Sequence, residues 1–118
     1  MIDQNANTIY ANSYMANMLG YTKDEMNGKH LFFFMDEPAI ELAKKNLQRR
    51  AEGISETHTF EFTHKTGEKV FTTLNTYPLL DSDGKYNGSI AAITNITERK
   101  KLEGIAHQLE VKFKAVFD

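Results

Sequence analysis

Residues 58–97 read HTFEFTHKTGEKVFTTLNTYPLLDSDGKYNGSIAAITNIT, and this stretch decides the predicted fold. At its start the sequence has a period of two, with Phe60 and Phe62 separated by polar residues, which is typical of a half-buried strand. The glycine-containing segments 65–68 and 81–84 predict tight turns. Together these features predict an antiparallel meander of three strands, over residues 58–64, 70–80 and 88–97.

Two short helices are predicted before these strands. Asn12 is a good N-cap for the first helix, and Gly20 ends it because the residue that follows a helix commonly needs a positive φ. Thr22 and Glu25 match a capping box, so the second helix begins there. A short strand over residues 8–11 precedes both helices. Helices beside an antiparallel sheet predict an α+β fold.

The longest helix of the globular part is predicted over residues 36–51. Pro38 is tolerated in its first turn, and Gly53 ends it. Its buried stripe is predicted to consist of apolar residues at three- and four-residue steps, namely Ile40, Ala43, Leu47 and Ala51. Basic residues are predicted to cover much of its remaining surface, namely Lys44, Lys45, Arg49 and Arg50.

A charged helix is predicted from residue 98 to the end of the chain. Its apolar residues form a narrow stripe, closer to a coiled-coil seam than to a core-facing helix. The predicted dimer seam comprises Leu102, Ile105, Leu109 and Val116. An alternative is that this helix folds back and covers the sheet.

Composition excludes several classes of function. The 118 residues suffice for one domain, and the net charge of -2 argues against a general nucleic-acid binder. The absence of cysteine excludes disulfides, thiolate nucleophiles, cysteine-ligated metals and cysteine-adduct photochemistry. No apolar run approaches the roughly 18 residues of a membrane-spanning helix. We therefore expect a cytoplasmic domain that has no direct contact with a membrane.

Several motifs, taken in order, resemble those of PAS domains of the PAS/PAC sensory-box type. Residues 3–12, DQNANTIYAN, resemble the entry motif, and residues 19–28, LGYTKDEMNG, resemble the helix-turn-helix signature. The two predicted hairpins lie where PAS hairpins lie, and residues 95–100, NITERK, are similar to the exit motif. The resemblance implies an antiparallel sheet of about five strands with helices on one face. The domain would span residues 1–97, with its first strand truncated, and residues 98–118 would form the connector.

The resemblance also implies a signalling context. Residues 110–118, EVKFKAVFD, resemble the lead-in helix of a second PAS domain. The chain is then one unit of a multi-PAS signalling protein such as a sensor histidine kinase of a two-component system. Its expected partners are a second copy and the neighbouring PAS and output domains. The expected signal hinge comprises Asn95, Thr97, Glu98 and Arg99, with an asparagine at residue 95 in place of the family's usual aspartate.

By resemblance, a ligand pocket lies between the inner face of the sheet and the helices. Its predicted lining is Met15, Met18, Leu19, His30, Phe32, Phe34, Leu42, Leu47, Phe60, Phe62, Thr73, Leu74, Asn75, Tyr77, Ala91 and Ile93. The polar side chains expected to orient a ligand are His30, Thr73, Asn75 and Tyr77. Either a small organic ligand fills this space or the side chains pack the core without a hole.

The sequence disfavours haem, flavin, metal sites and catalysis. Haem-binding relatives place a histidine on the long helix, which has none here, and flavin-binding relatives carry glutamine where Ile93 stands. No histidine has a ligand partner three or four residues away, and His107 has no adjacent acid of the kind found in phosphoacceptor helices. No nucleophile–base pair is evident, so any kinase or cyclase activity would belong to another domain. We expect a sensory input and dimerisation module; the alternative is a ligand-free protein-interaction domain.

Overall fold

The computed structural model describes the backbone of residues 1–117 and the side chains of residues 1–107. The α+β prediction is confirmed. In chain order the elements are α1 (Ser13–Leu19), α2 (Lys23–Met26), a 3-10 turn (Leu31–Phe34), α3 (Glu37–Ala51), β1 (Glu56–Thr63), β2 (Lys69–Leu80), β3 (Tyr86–Asn95) and α4 (Thr97–Phe117). Among the described residues, no helix is both long and apolar enough to cross a membrane.

The three predicted strands form an antiparallel meander in the order β1-β2-β3. Phe62 of β1 lies opposite Val70 of β2, and Leu74 of β2 lies opposite Ile93 of β3. Cross-strand partners point to the same face of a sheet, so these pairs define its inner face.

The sheet has three strands in the described part of the chain, instead of the expected five or so. The amino-terminal segment contributes isolated bridges, which join Ile2 to Thr8 and to Ser89. The physical reason is local, because the Asp3 carboxylate accepts hydrogen bonds from the backbone N–H groups of Asn5 and Asn7, both at 2.9 Å. This turn uses the backbone donors that a continuous strand would need.

The predicted helix caps are present. Asn12 Oδ1 accepts a hydrogen bond from the Met15 N–H at 2.9 Å, and Gly20 follows α1 with a φ of 79°. Thr22 and Glu25 form both hydrogen bonds of the capping box, each at 3.1 Å. These local interactions satisfy backbone donors that a helix cannot satisfy internally.

The buried face of α3 differs from the prediction. Small and polar side chains face inward, namely Ala39, Ala43, Asn46 and Arg50. Of the predicted stripe, only Ala43 is fully buried; Ile40 and Leu47 are half-buried, and Ala51 is exposed. The two alanines let α3 approach the sheet closely, and the helix is thereby rotated so that Arg50 is only 6% exposed.

The start of α4 is anchored to the sheet, whereas its next turns are not. Ile96 is buried, and its backbone N–H donates to the carbonyl oxygen of Phe71 at 2.8 Å. Leu102 and Ile105 are 59% and 54% exposed, so this part of α4 does not cover the sheet. The side chains of Leu109 and Val116 lie outside the described residues.

Candidate functional site

A cavity of about 520 Å³ lies between the inner face of the sheet, α1, α3 and the amino-terminal segment. Its volume falls within the range typical of small-molecule sites. Its wall is largely apolar and includes Met15, Met26, Phe34, Phe60, Phe62, Leu74 and Ile93. Tyr10 and Tyr14 are more than half exposed and stand at its rim.

Seven of the sixteen predicted pocket residues line this cavity: Met15, Phe34, Phe60, Phe62, Leu74, Ala91 and Ile93. Leu19 lies fully in the core, and Met18 and Phe32 pack against that core. Leu47 is half-buried without lining the cavity. Leu42 is 44% exposed and borders a second hollow beside the first turn of α3. The structure therefore brings together seven of the predicted apolar residues and none of the predicted polar ones.

His30 has a local structural role. It stands before the 3-10 turn, and its Nδ1 accepts a hydrogen bond from the Phe32 N–H at 3.1 Å. Its ring also contacts the ring of Phe32 edge-on, with the centroids 4.4 Å apart. It does not line the cavity.

Three of the predicted polar pocket residues lie on the outer face of the sheet. Thr73, Asn75 and Tyr77 alternate with the inward-facing residues of β2, and Tyr77 is 49% exposed. Asn75 Oδ1 accepts a hydrogen bond from the Thr57 hydroxyl at 2.6 Å on that face. They cannot share a cavity wall with Leu74, because side chains that are adjacent along a strand point to opposite faces.

Two buried polar side chains of the cavity wall lie on α3. Asn46 and Arg50 are 9% and 6% exposed, and both line the cavity together with Ser89 of β3. Among the described residues, Arg50 Nε has no hydrogen-bond partner. Burial lowers the pKa of the Arg50 guanidinium, which is the direction expected for a cation removed from water.

His58 extends this polar group on the inner face of β1. Its Nε2 lies 3.3 Å from Asn46 Nδ2. Burial, followed by the nearby charge of Arg50, lowers the pKa of the His58 imidazole and favours its neutral form. If the Asn46 amide donates to Nε2, the ring proton is on Nδ1, an atom with no partner among the described residues.

The predicted hinge is tied both to the sheet and to the rim of the cavity. Asn95 Oδ1 accepts hydrogen bonds from the Thr97 N–H at 2.9 Å and the Thr97 hydroxyl at 2.7 Å. The Phe71 N–H donates to Thr97 Oγ1 at 3.0 Å. The Asn95 N–H donates to the hydroxyl of Tyr14 at 3.1 Å, and the same tyrosine lines the cavity.

The other two residues of the predicted hinge, Glu98 and Arg99, lie on the first turn of α4. Glu98 is exposed, and Arg99 Nε donates to Glu103 at 3.3 Å within the same helix. Neither side chain joins α4 to the sheet. The connection between the two is therefore made by Asn95, Ile96 and Thr97.

A family model described as "PAS domain" matches residues 1–98. The chain belongs to the PAS domain family. No curated protein sequence matches it. PAS domains are typically sensory modules and not catalytic ones.

Solved structures share this PAS fold. A PAS domain from Colwellia psychrerythraea has a TM-score of 0.72 at 17% identity, covering 81% of this chain and 82% of that one. A light-oxygen-voltage domain, studied with a flavin analogue, has a TM-score of 0.64 at 20% identity, with coverages of 86% and 76%. The Vibrio cholerae VqmA dimer has a TM-score of 0.62 at 23% identity, with coverages of 83% and 45%. At these identities the similarity shows the fold.

Sequence reasoning missed the polar wall of this PAS domain. Asn46 and Arg50 are four residues apart and continue the row of Ala39 and Ala43 along α3. That spacing was the available signal. It was overlooked because a basic residue on a helix is ordinarily assigned to solvent.

Proposed function

We propose that this PAS domain is a sensory input and dimerisation module that binds a small organic molecule in its core cavity. The cavity of about 520 Å³ is the observation that carries the proposal. A core of ordinary packing density holds few voids larger than a water molecule. A space of this size, with an apolar wall and a few polar side chains, is typical of a ligand site.

The relay is proposed to run from the cavity rim to α4. Tyr14 lines the cavity and accepts a hydrogen bond from the Asn95 N–H, and Asn95 in turn holds Thr97 at the start of α4. An occupant that shifts α1 changes this contact and biases the orientation of α4. The bias is limited to the difference in the occupant's affinity for the two arrangements.

Dimerisation is proposed to use α4. Leu102 and Ile105 are exposed apolar residues three positions apart, which is the spacing of a helix–helix seam. A dimer would remove both side chains from water. The seam is proposed to continue through Leu109 and Val116.

The wider context is also a proposal. We infer a cytoplasmic unit of a multi-PAS signalling protein, such as a sensor histidine kinase, because residues 110–118 resemble the start of another PAS domain. One similar structure is that of a VqmA–ligand–DNA complex. The net charge of this chain, -2, supports protein partners over nucleic acid.

Flavin is a competing occupant, since one similar structure is of a light-oxygen-voltage domain studied with a flavin analogue. The chain has no cysteine for a covalent adduct, and Asn75 lies on the outer face. The amides that line the cavity are those of Asn12, which caps α1, and of Asn46 on α3. An absorption spectrum of the purified protein distinguishes a flavin from a colourless ligand.

The proposal is tested by native mass spectrometry of the purified domain. We expect a mass excess that is retained under gentle ionisation and lost on heating. Ala91→Phe introduces a large side chain on the inner face of β3 and is expected to reduce the occupied fraction. Thr94→Phe, on the exposed outer face of the same strand, is the matched control and is expected to retain the occupant.

The alternative function predicts a different spectrum. A bare protein at the dimer mass, unchanged by Ala91→Phe, would favour a ligand-free interaction module. The exposed seam residues Leu102 and Ile105 would then be the functional surface.

A further inference from the structure

The arginine side chain buried in the cavity wall requires a physical explanation. Arg50 is 6% exposed, and its Nε is buried without a hydrogen-bond partner among the described residues. Removing an unpaired cation from water is costly, so buried charges in proteins are normally paired. Among the described residues, no hydrogen bond to Nε offsets this cost, although the negative charge of Glu56 reduces it.

Glu56, an acidic side chain whose charge acts on Arg50, does not supply this hydrogen bond. Glu56 accepts hydrogen bonds from Arg49 Nε to both of its carboxylate oxygens, at 2.9 and 3.1 Å. Arg49 Nη2 also lies 2.9 Å from Glu56 Oε2. The Glu56 carboxylate is therefore taken by the exposed arginine, and the buried arginine next to it has no such bond.

The surroundings of Arg50 indicate the kind of partner that is missing. Arg50 is the only charged side chain among the described residues that line the cavity, and no acidic residue lines it. Asn46, one turn before it on α3, adds an amide to the same wall. The remainder of the wall is mainly aromatic, aliphatic and methionine side chains.

We propose that the ligand of this domain is a small organic monocarboxylate, with its carboxylate bound at Arg50 and Asn46 and its apolar body in the cavity. This inference rests on the proposed function, because it names the chemical class of the occupant. A planar guanidinium binds a carboxylate through parallel hydrogen bonds. The guanidinium of Arg50 neutralises one negative charge. The other cation among the described lining residues, the α-ammonium of Met1, donates to the Tyr10 carbonyl oxygen at 2.8 Å, so a phosphate dianion would leave surplus charge in an apolar cavity.

The experiment measures binding of a matched pair of probes, 4-phenylbutyrate and its neutral amide, 4-phenylbutanamide, by calorimetry. The two differ in charge at one end, and inorganic phosphate is tested as a competitor. We expect the wild-type domain to prefer the acid by about 10- to 100-fold, the usual value of a hydrogen bond to a charged group. The preference is expected to disappear in Arg50→Gln.

Control variants separate a local effect from a change in net charge or folding. Lys45→Gln removes a positive charge from the exposed side of the same helix and is expected to keep the preference. Arg50→Lys keeps the charge without the planar donor pair, so an intermediate preference is expected. Thermal unfolding of each variant identifies any variant that does not fold. The comparison of acid and amide on the wild-type domain tests the inference even if a variant fails in this way.

The outcomes distinguish this inference from the proposed function. Equal binding of acid and amide, or a neutral compound extracted from the purified protein, would overturn the carboxylate site and leave the sensory function intact. Displacement of the acid by equimolar phosphate would overturn the choice of a carboxylate. If neither probe binds and native mass spectrometry finds a bare protein, both the inference and the proposed function fail.

Discussion

At the scale of single residues, we propose that the polar side chains of α3 in the cavity wall select what the cavity binds. Asn46 and Arg50 lie on the same buried face of α3 as Ala39 and Ala43, which precede them by one to three turns. An apolar side chain at residue 50 would serve the fold without the desolvation cost of a cation. Packing of α3 explains why residue 50 is buried, and we propose that an occupant of the cavity explains why this residue is an arginine.

His58, beside this wall, makes stability dependent on pH. Burial lowers the pKa of the folded imidazole below the ordinary value of 6.5, so the unfolded chain takes up a proton first as the pH falls. The contribution of His58 to the free energy of unfolding is fully present above pH 6.5. It is lost as the pH falls through the pKa that His58 has in the folded state. We therefore predict that the free energy of unfolding in urea decreases from pH 7 towards pH 5.

The His58→Gln variant is expected to have a smaller decrease over that range. His107→Gln, on the exposed part of α4, is the matched control for the loss of one histidine. The carboxylates with lowered pKa values, Glu25 and Glu56, have ordinary values of 4.5 and lose their contribution at more acidic pH. An unchanged slope in His58→Gln would contradict the prediction.

At the scale of elements, α4 combines an anchored start with an unpartnered apolar stripe. Ile96 and Thr97 bind the first turn to β2 through the backbone of Phe71. Beyond that turn, Leu102 and Ile105 are exposed. A helix anchored at one end and apolar along one side can report a change in the domain to a second helix paired with it.

The paired substitution Leu102→Lys/Ile105→Lys is predicted to convert the dimer into a monomer in sedimentation experiments. It places charges in a seam that would otherwise exclude water. Glu103→Lys/Ala106→Lys adds lysines to neighbouring exposed positions and is the control expected to remain dimeric. A dimer that persists in the first variant would refute the α4 seam and favour association through the outer face of the sheet.

At the scale of the whole molecule, the proposed signal depends on coupling between the cavity and α4. The hydrogen bond from the Asn95 N–H to the Tyr14 hydroxyl, at 3.1 Å, joins the cavity rim to the proposed hinge. Coupling of this kind is reciprocal. A ligand that changes the dimer dissociation constant must therefore bind the monomer and the dimer with different affinities.

Tyr14→Phe is predicted to reduce this coupling while the domain still binds its ligand. The dimer dissociation constant would be measured by sedimentation with and without 4-phenylbutyrate, and the ratio compared with that of the wild type. Tyr10→Phe removes a hydroxyl from the other exposed tyrosine at the rim and is expected to keep the wild-type ratio. A ratio in Tyr14→Phe equal to that of the wild type would exclude this hydrogen bond as the link.

Local sequence determined much of the fold of this PAS domain. The N-cap of α1, the capping box of α2 and the two hairpin turns were predicted, because each depends on hydrogen bonds or φ angles within a few consecutive residues. The three-stranded meander was predicted from these turns and from the alternation of apolar and polar residues in the strands. The PAS family followed from the order and spacing of the same motifs.

The tertiary structure decided which faces point inward. On β2, the buried set of Val70, Thr72, Leu74 and Thr76 is no more apolar than the outer set of Phe71, Thr73, Asn75 and Tyr77. Thr72 and Thr76 are accommodated inside because their hydroxyls donate to backbone carbonyls of β1. Likewise, the rotation of α3 that buries Arg50 follows from close packing of alanines on the sheet. Periodicity identifies residues that share a face, but only packing of all the elements together selects the face that is buried.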